Sequence, residues 1–171
     1  IRPDGPLGVK RLLIVWHSRT GGSRQMAAAA AEAAGHEDGI EVRLIEAQDA
    51  GAEDVLAADG YLFVCPENLA SMSGPMKDFF DRTYYAALDR IQGRPYATMI
   101  CAGSDGEGAA RQIARIATGW RLRAVAEPII VCTHAQTAES IWAAKTIPPQ
   151  DIERCAERGS AMSAGLALGI Y

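Results

Sequence analysis

The sequence predicts an α/β fold in three layers, a five-stranded parallel sheet of strand order 2-1-3-4-5 with helices on both faces. Two observations carry this. Four short, continuous apolar runs, at residues 12–16, 61–65, 96–102 and 128–132, are bounded by turn residues, as strands covered on both faces are. Helical patterns separate them, so strand and helix alternate, and right-handed crossovers then bring the strands parallel.

In chain order, the run 12–16 opens the sheet and an alanine-rich helix follows over 23–34. The second strand is different in kind. Ile40, Val42 and Leu44 alternate with Glu41 and Arg43, which marks a sheet edge exposed on one side and places strand two outermost. A short helix at 52–57 leads to the third strand, 61–65. The next helix, 75–88, starts at Pro75 with Ser73 available as its cap. Its Met76, Phe79, Phe80 and Thr83 share a face suited to core packing. Strand four (96–102), a helix at 108–118, strand five (128–132) and a helix at 149–168 complete the alternation. The segment 133–148, with Trp142, shows no clear pattern and is placed as a flap over the carboxyl edge. Residues 1–9, rich in Pro and Gly, are assigned to a flexible arm and 10–171 to one domain, with no internal repeat.

Composition narrows the partners. A net charge of −4 without any Lys/Arg cluster argues against nucleic acid and anionic membrane, leaving small molecules or proteins. The apolar runs fall well short of the ~20 residues a spanning helix needs, and the expected location is the cytoplasm. Cys65, Cys101, Cys132 and Cys155 are far apart without C-x-x-C spacing, so neither zinc nor a disulfide framework is indicated. The first three end apolar runs and are assigned as small buried strand residues. His17, His36 and His134 lack ligand spacing; no metal is expected, and structural or surface roles suit them.

In an open sheet of this order, ligands bind beyond the carboxyl ends of the strands, at the switch between the first and third. Three loops converge there. The first, Ser18, Arg19, Thr20, Gly21, Gly22 and Ser23, combines three hydroxyls with the free N–H groups of a helix start, a combination that cradles a monophosphate. Gly21 and Gly22 allow close backbone approach. Without a ligand, the same loop is a Ser/Gly turn with Ser23 as an ordinary N-cap. Arg19 either pairs with the phosphate or projects into solvent. The second loop, Pro66, Glu67, Asn68, Leu69, Ala70, Ser71 and Met72, offers polar groups at Asn68 and Ser71 to a flat heterocycle, with Leu69 and Met72 as apolar walls. The third, Ala102, Gly103, Ser104, Asp105 and Gly106, is small and acidic. Other chemistries lack their residues: no Gly-Lys-Ser/Thr follows the first loop, Cys65 and Pro66 stand where a receiver domain has Asp, and no G-x-S-x-G occurs.

The first loop matches S/T-x-T-G-x-S/T and resembles the phosphate loop of the flavodoxin-like superfamily. P-E-N-x-x-x-M-S-G-x-M-K-D-F-F-D-R, from Pro66 to Arg82, resembles the ring-binding loop and following helix of NAD(P)H-dependent FMN reductases and WrbA-like quinone reductases. The resemblance spans about residues 10–131. It implies bound FMN, held by the three loops above, taking a hydride from NADPH or NADH and passing electrons to a small-molecule acceptor such as a quinone or free flavin. The flavin N5 then carries the chemistry, and no catalytic side chain is required. A flavodoxin-type electron carrier or a non-catalytic flavin-binding protein is the alternative. Carriers stack aromatic residues on the flavin from the second and third loops; here Ala70, Ala102 and Gly103 leave a face open. Glu67, Asp105 and Glu107 fall near the flavin edge, where their charge would lower its potential, or on a solvated rim. Tyr84 and Tyr85 border either the substrate cavity or a subunit contact. A Phe/Tyr-rich face at 75–85, with the family likeness, suggests a homodimer.

Overall fold

A computed structural model describes residues 8–171; most of the assigned arm, residues 1–7, lies outside them. The elements are β1 (Lys10–Trp16), α1 (Gly22–Ala34), β2 (Ile40–Glu46), α2 (Ala52–Ala57), β3 (Gly60–Asn68), β4 (Ser71–Met72), α3 (Gly74–Ala87), β5 (Pro95–Ala102), α4 (Glu107–Gly119), β6 (Arg123–Ala124), β7 (Ile129–Cys132), α5 (Ala138–Trp142) and α6 (Pro149–Ala167). The five long strands lie parallel in the order β2-β1-β3-β5-β7, which is the expected 2-1-3-4-5.

Two short strands add to that count. β6 pairs with Pro95 and Tyr96 at the start of β5, and β7 pairs with Met99 to Ala102 at its end, so the last strand position is interrupted. Pro128 sits in the gap, where it has no N–H to give a ladder. β4 folds back antiparallel on the tip of β3 through Leu69 and Ala70, whose φ values of 52° and 65° are the left-handed geometry a two-residue hairpin requires. α5 was not expected, although Thr137 and Ser140 are its capping pair and stand in the sequence at the right spacing.

The continuous apolar strands are buried on both faces because successive side chains point opposite ways. Leu13, Val15, Tyr61 and Phe63 face an aromatic layer built with Phe79, Phe80 and Trp120. Leu12, Ile14, Leu62 and Val64 face the other side, a thinner layer of Met26, Ala27, Ala30 and Met162. There α1 and α6 approach so closely that a Cβ on Gly159 would collide with the Ala30 backbone.

The structure corrects several expectations. Phe79 and Phe80 belong to the core and Tyr84 stacks on Trp120, so of the proposed aromatic face only Tyr85 is open, at 83% exposure. Leu44 does not share the cover given to Ile40 and Val42 and is half-exposed, while Ile45 packs on the aromatic side. Cys65, Cys101 and Cys155 are buried, but Cys132 is only partly so. Among the described residues, no helix is long and apolar enough to cross a membrane.

Candidate functional site

The carboxyl ends of β1, β3 and β5 open into a cavity of about 590 Å³. Of the first loop, Arg19 and Thr20 line one end, and Ser18, Gly21, Gly22 and Ser23 are outside the lining. Gly21, with φ +95°, is the left-handed residue that turns the chain into α1, and no side chain caps that helix. Ser18 Oγ accepts the Gly21 N–H at 2.9 Å, leaving the N–H groups of Gly22, Ser23 and Arg24 for an incoming acceptor. Gly22 lies so near β5 that a Cβ there would sit 2.6 Å from Cys101 Sγ. Ser23 is therefore not the cap: it lies inside the first turn, buried, and its Oγ has no partner.

The second loop forms the opposite wall. Pro66, Glu67, Asn68, Leu69 and Ala70 line the cavity, and the buried Asn68 Nδ2 has no partner. Ser71 and Met72 serve otherwise than expected. Ser71 Oγ and the Met72 N–H both donate to Gln112 Oε1, at 3.0 and 2.8 Å, and the Met72 side chain is in the aromatic core. Glu67 is likewise engaged. Its two carboxylate oxygens accept the N–H groups of Gly106 (2.9 Å) and Ala109 (3.0 Å), capping α4, whose partial positive charge offsets its own. Asp105 Oδ1 accepts the Glu107 N–H at 3.2 Å, and Glu107 is exposed. The three carboxylates do not gather as free charge at the cavity.

Ala102, Gly103 and Ser104 line the third side; Asp105 and Gly106 lie behind them, with Gly106 (φ +91°) turning the chain into α4. A Cβ on Gly103 would meet the Ala135 carbonyl at 3.1 Å. That contact introduces the segment 133–148, which does fold over the carboxyl edge. Thr133, Ala135, Ile141, Trp142 and Lys145 from it line the cavity, as does Cys101. None was placed in the site from sequence, because the flap meets loops distant in the chain, from Gly103 beside Ala135 to Thr20 beside Lys145. Lys145 Nζ donates to the carbonyls of Ser140, Ile141 and Ala143, closing the end of α5. Gln25 ties the flap to the first loop: its Nε2 donates to the carbonyls of Gly21 and Lys145, and its Oε1 accepts the Ile147 N–H. The Lys145 N–H also donates to the Thr20 carbonyl at 2.9 Å.

Beneath the loops, His17 Nδ1 lies 2.8 Å from Ser73 Oγ, so Ser73 stands at the α3 cap position without its side chain capping that helix. Burial, and then the positive charge of Arg19, lower the His17 pKa and favour the neutral ring. Burial pushes the thiol of the cavity-lining Cys101 up to about 11, so it is protonated and a poor nucleophile. Free N–H groups at one end and an amide between apolar walls at the other suit an elongated ligand with an anionic tail and a planar head.

Residues 49–137, just over half of the chain, match the family described as NADPH-dependent FMN reductase. The stretch holds the second and third loops and leaves the first outside. A flavodoxin of Aquifex aeolicus (strain VF5) is 36% identical over 98 residues, 57% of this chain; the match spans 53%, about half, of that relative. A flavodoxin from the domain Archaea superposes with a TM-score of 0.73 at 19% identity, covering 91% of this chain and 98% of that one. Flavodoxin 1 from Bacillus cereus gives 0.74 at 18%, covering 91% and 97%. A flavodoxin, WrbA-like protein from Agrobacterium tumefaciens gives 0.65 at 17%, covering 94% and 98%. These likenesses establish the flavodoxin-like fold.

Proposed function

The chain belongs to the NADPH-dependent FMN reductase family, and from that premise we propose that it binds FMN and moves electrons from NADPH or NADH to a quinone, free flavin or similar small acceptor. The observation that carries this is the pair of orphaned polar side chains, Ser23 Oγ in the first turn of α1 and Asn68 Nδ2 in the cavity wall. A buried polar group without a partner costs about 1–3 kcal/mol, and a bound phosphate and heterocycle would satisfy both. A cavity of about 590 Å³ fits a ligand of that size.

Bound FMN would supply the hydride acceptance and onward electron transfer, which no side chain of this chain needs to perform. The protein's part is placement. The free N–H groups of Gly22, Ser23 and Arg24, with the Thr20 and Ser23 hydroxyls, would hold the phosphate at a helix start turned by Gly21, without a lysine. Asn68 hydrogen-bonds the ring. Glu67, by capping α4, keeps the third loop in position as the far wall. The relative named flavodoxin favours a second reading, an electron carrier for protein partners.

The test begins with purified protein titrated with FMN, then mixed anaerobically with NADPH or NADH. Bleaching of the bound flavin by a nicotinamide, and its return when a quinone is added, support the reductase. Flavin that binds, resists both nicotinamides and yields only to dithionite overturns it in favour of the carrier.

A further inference from the structure

Resting on the FMN reading above, we infer that Trp142 is the surface on which the planar end of the ligand stacks, and that Arg19 is a positioning residue for that indole rather than a phosphate ligand. The second and third loops carry no aromatic residue and by themselves leave one flavin face open. The structure brings an aromatic residue to the same cavity from the flap.

Trp142 lines the cavity yet remains 63% exposed, with no core packing to hold it. Its neighbours at the mouth are Ile141, 49% exposed, and Leu69, which is wholly exposed at the tip of its hairpin. Large apolar side chains are rarely left this open in one place unless something covers them. The occupant that fits is flat and aromatic, and it must share the cavity with the first loop.

What holds the indole is Arg19. Its Cζ lies 5.4 Å from the Trp142 ring centroid, and no carboxylate pairs with the guanidinium among the described residues. A guanidinium on an indole is a cation–π contact, and it fixes the ring plane. The main-chain anchor is independent of both side chains, because Gln25 and Thr20 bind the backbone at 145–147. Substitutions at Arg19 or Trp142 therefore release the ring without releasing the flap.

The experiment is a double-substitution cycle read by equilibrium titration with two probes, FMN and riboflavin, which share the ring and differ in the phosphate. Trp142→Ala should weaken both probes by a similar factor, roughly tenfold, and Trp142→Phe should recover most of the loss. FMN should quench tryptophan emission less in Trp142→Phe than in the unaltered protein. Arg19→Gln should weaken both probes about threefold and add nothing in the Trp142→Ala background. Arg19→Gln that weakens FMN but spares riboflavin overturns the positioning role, and Trp142→Ala that binds both probes as the unaltered protein does overturns the stacking role. Unaltered protein that binds neither probe overturns the cofactor reading and this inference with it.

Discussion

Gly108, in the first turn of α4, is the residue on which the shape of the cavity wall depends. A Cβ there would collide with the Ala70 carbonyl at the hairpin tip and stand 3.2 Å from Glu67 Oε2. The obstacle is backbone, so the hairpin or the helix must move. Gly108→Ala gains up to about 1 kcal/mol of helix propensity, against about 1–3 kcal/mol for overpacking and some loss from the two charge-assisted bonds that cap α4 through Glu67. The net expectation is destabilisation by about 2 kcal/mol, or roughly 4–8 °C in Tm for a chain of this size. Because the displaced hairpin carries Asn68, Leu69 and Ala70, FMN affinity should fall as well. Gly159→Ala is the control, since its Cβ collides with the Ala30 backbone between α1 and α6, away from the cavity. Urea unfolding of both variants, with an FMN titration of each under native conditions, separates the effects. Gly159→Ala should lose stability and keep its affinity. Gly108→Ala that loses stability but binds FMN unchanged would refute the claim that the hairpin on α4 shapes the site.

Gly21→Val forces a β-branched residue to φ +95° at the turn into α1, so FMN binding should fall by several-fold more than riboflavin binding in parallel titrations; equal losses would sink the phosphate-cradle assignment. His17 gives a pH dependence. Its folded pKa lies below 6.5, so the unfolded chain takes up a proton first as pH falls, and stability should decline from about pH 6.5 downward until the folded ring titrates too. Chemical denaturation across that range should show the decline in the unaltered protein and a shallower one in His17→Gln; identical slopes would remove His17 from the account.

Much of this was legible in the chain itself. The alternation of apolar runs with helical patterns determined the fold class and strand order, because burial on both faces leaves a strand no polar position to hide. The turn of the first loop was legible too: a left-handed turn into a helix needs Gly21, and no side chain caps the N–H groups that follow. Tertiary structure alone decided the rest. Ser71, Met72 and Glu67 belong to the same loop as Asn68, but Gln112 and the head of α4 claim them, and no local pattern records a partner forty residues away. Trp142 and Lys145 reach the cavity only because the chain crosses back over the carboxyl edge after β7, where Thr20 and Gln25 bind its backbone. Secondary structure follows from local periodicity, whereas the walls of a cavity are set by which distant segments satisfy one another's hydrogen bonds.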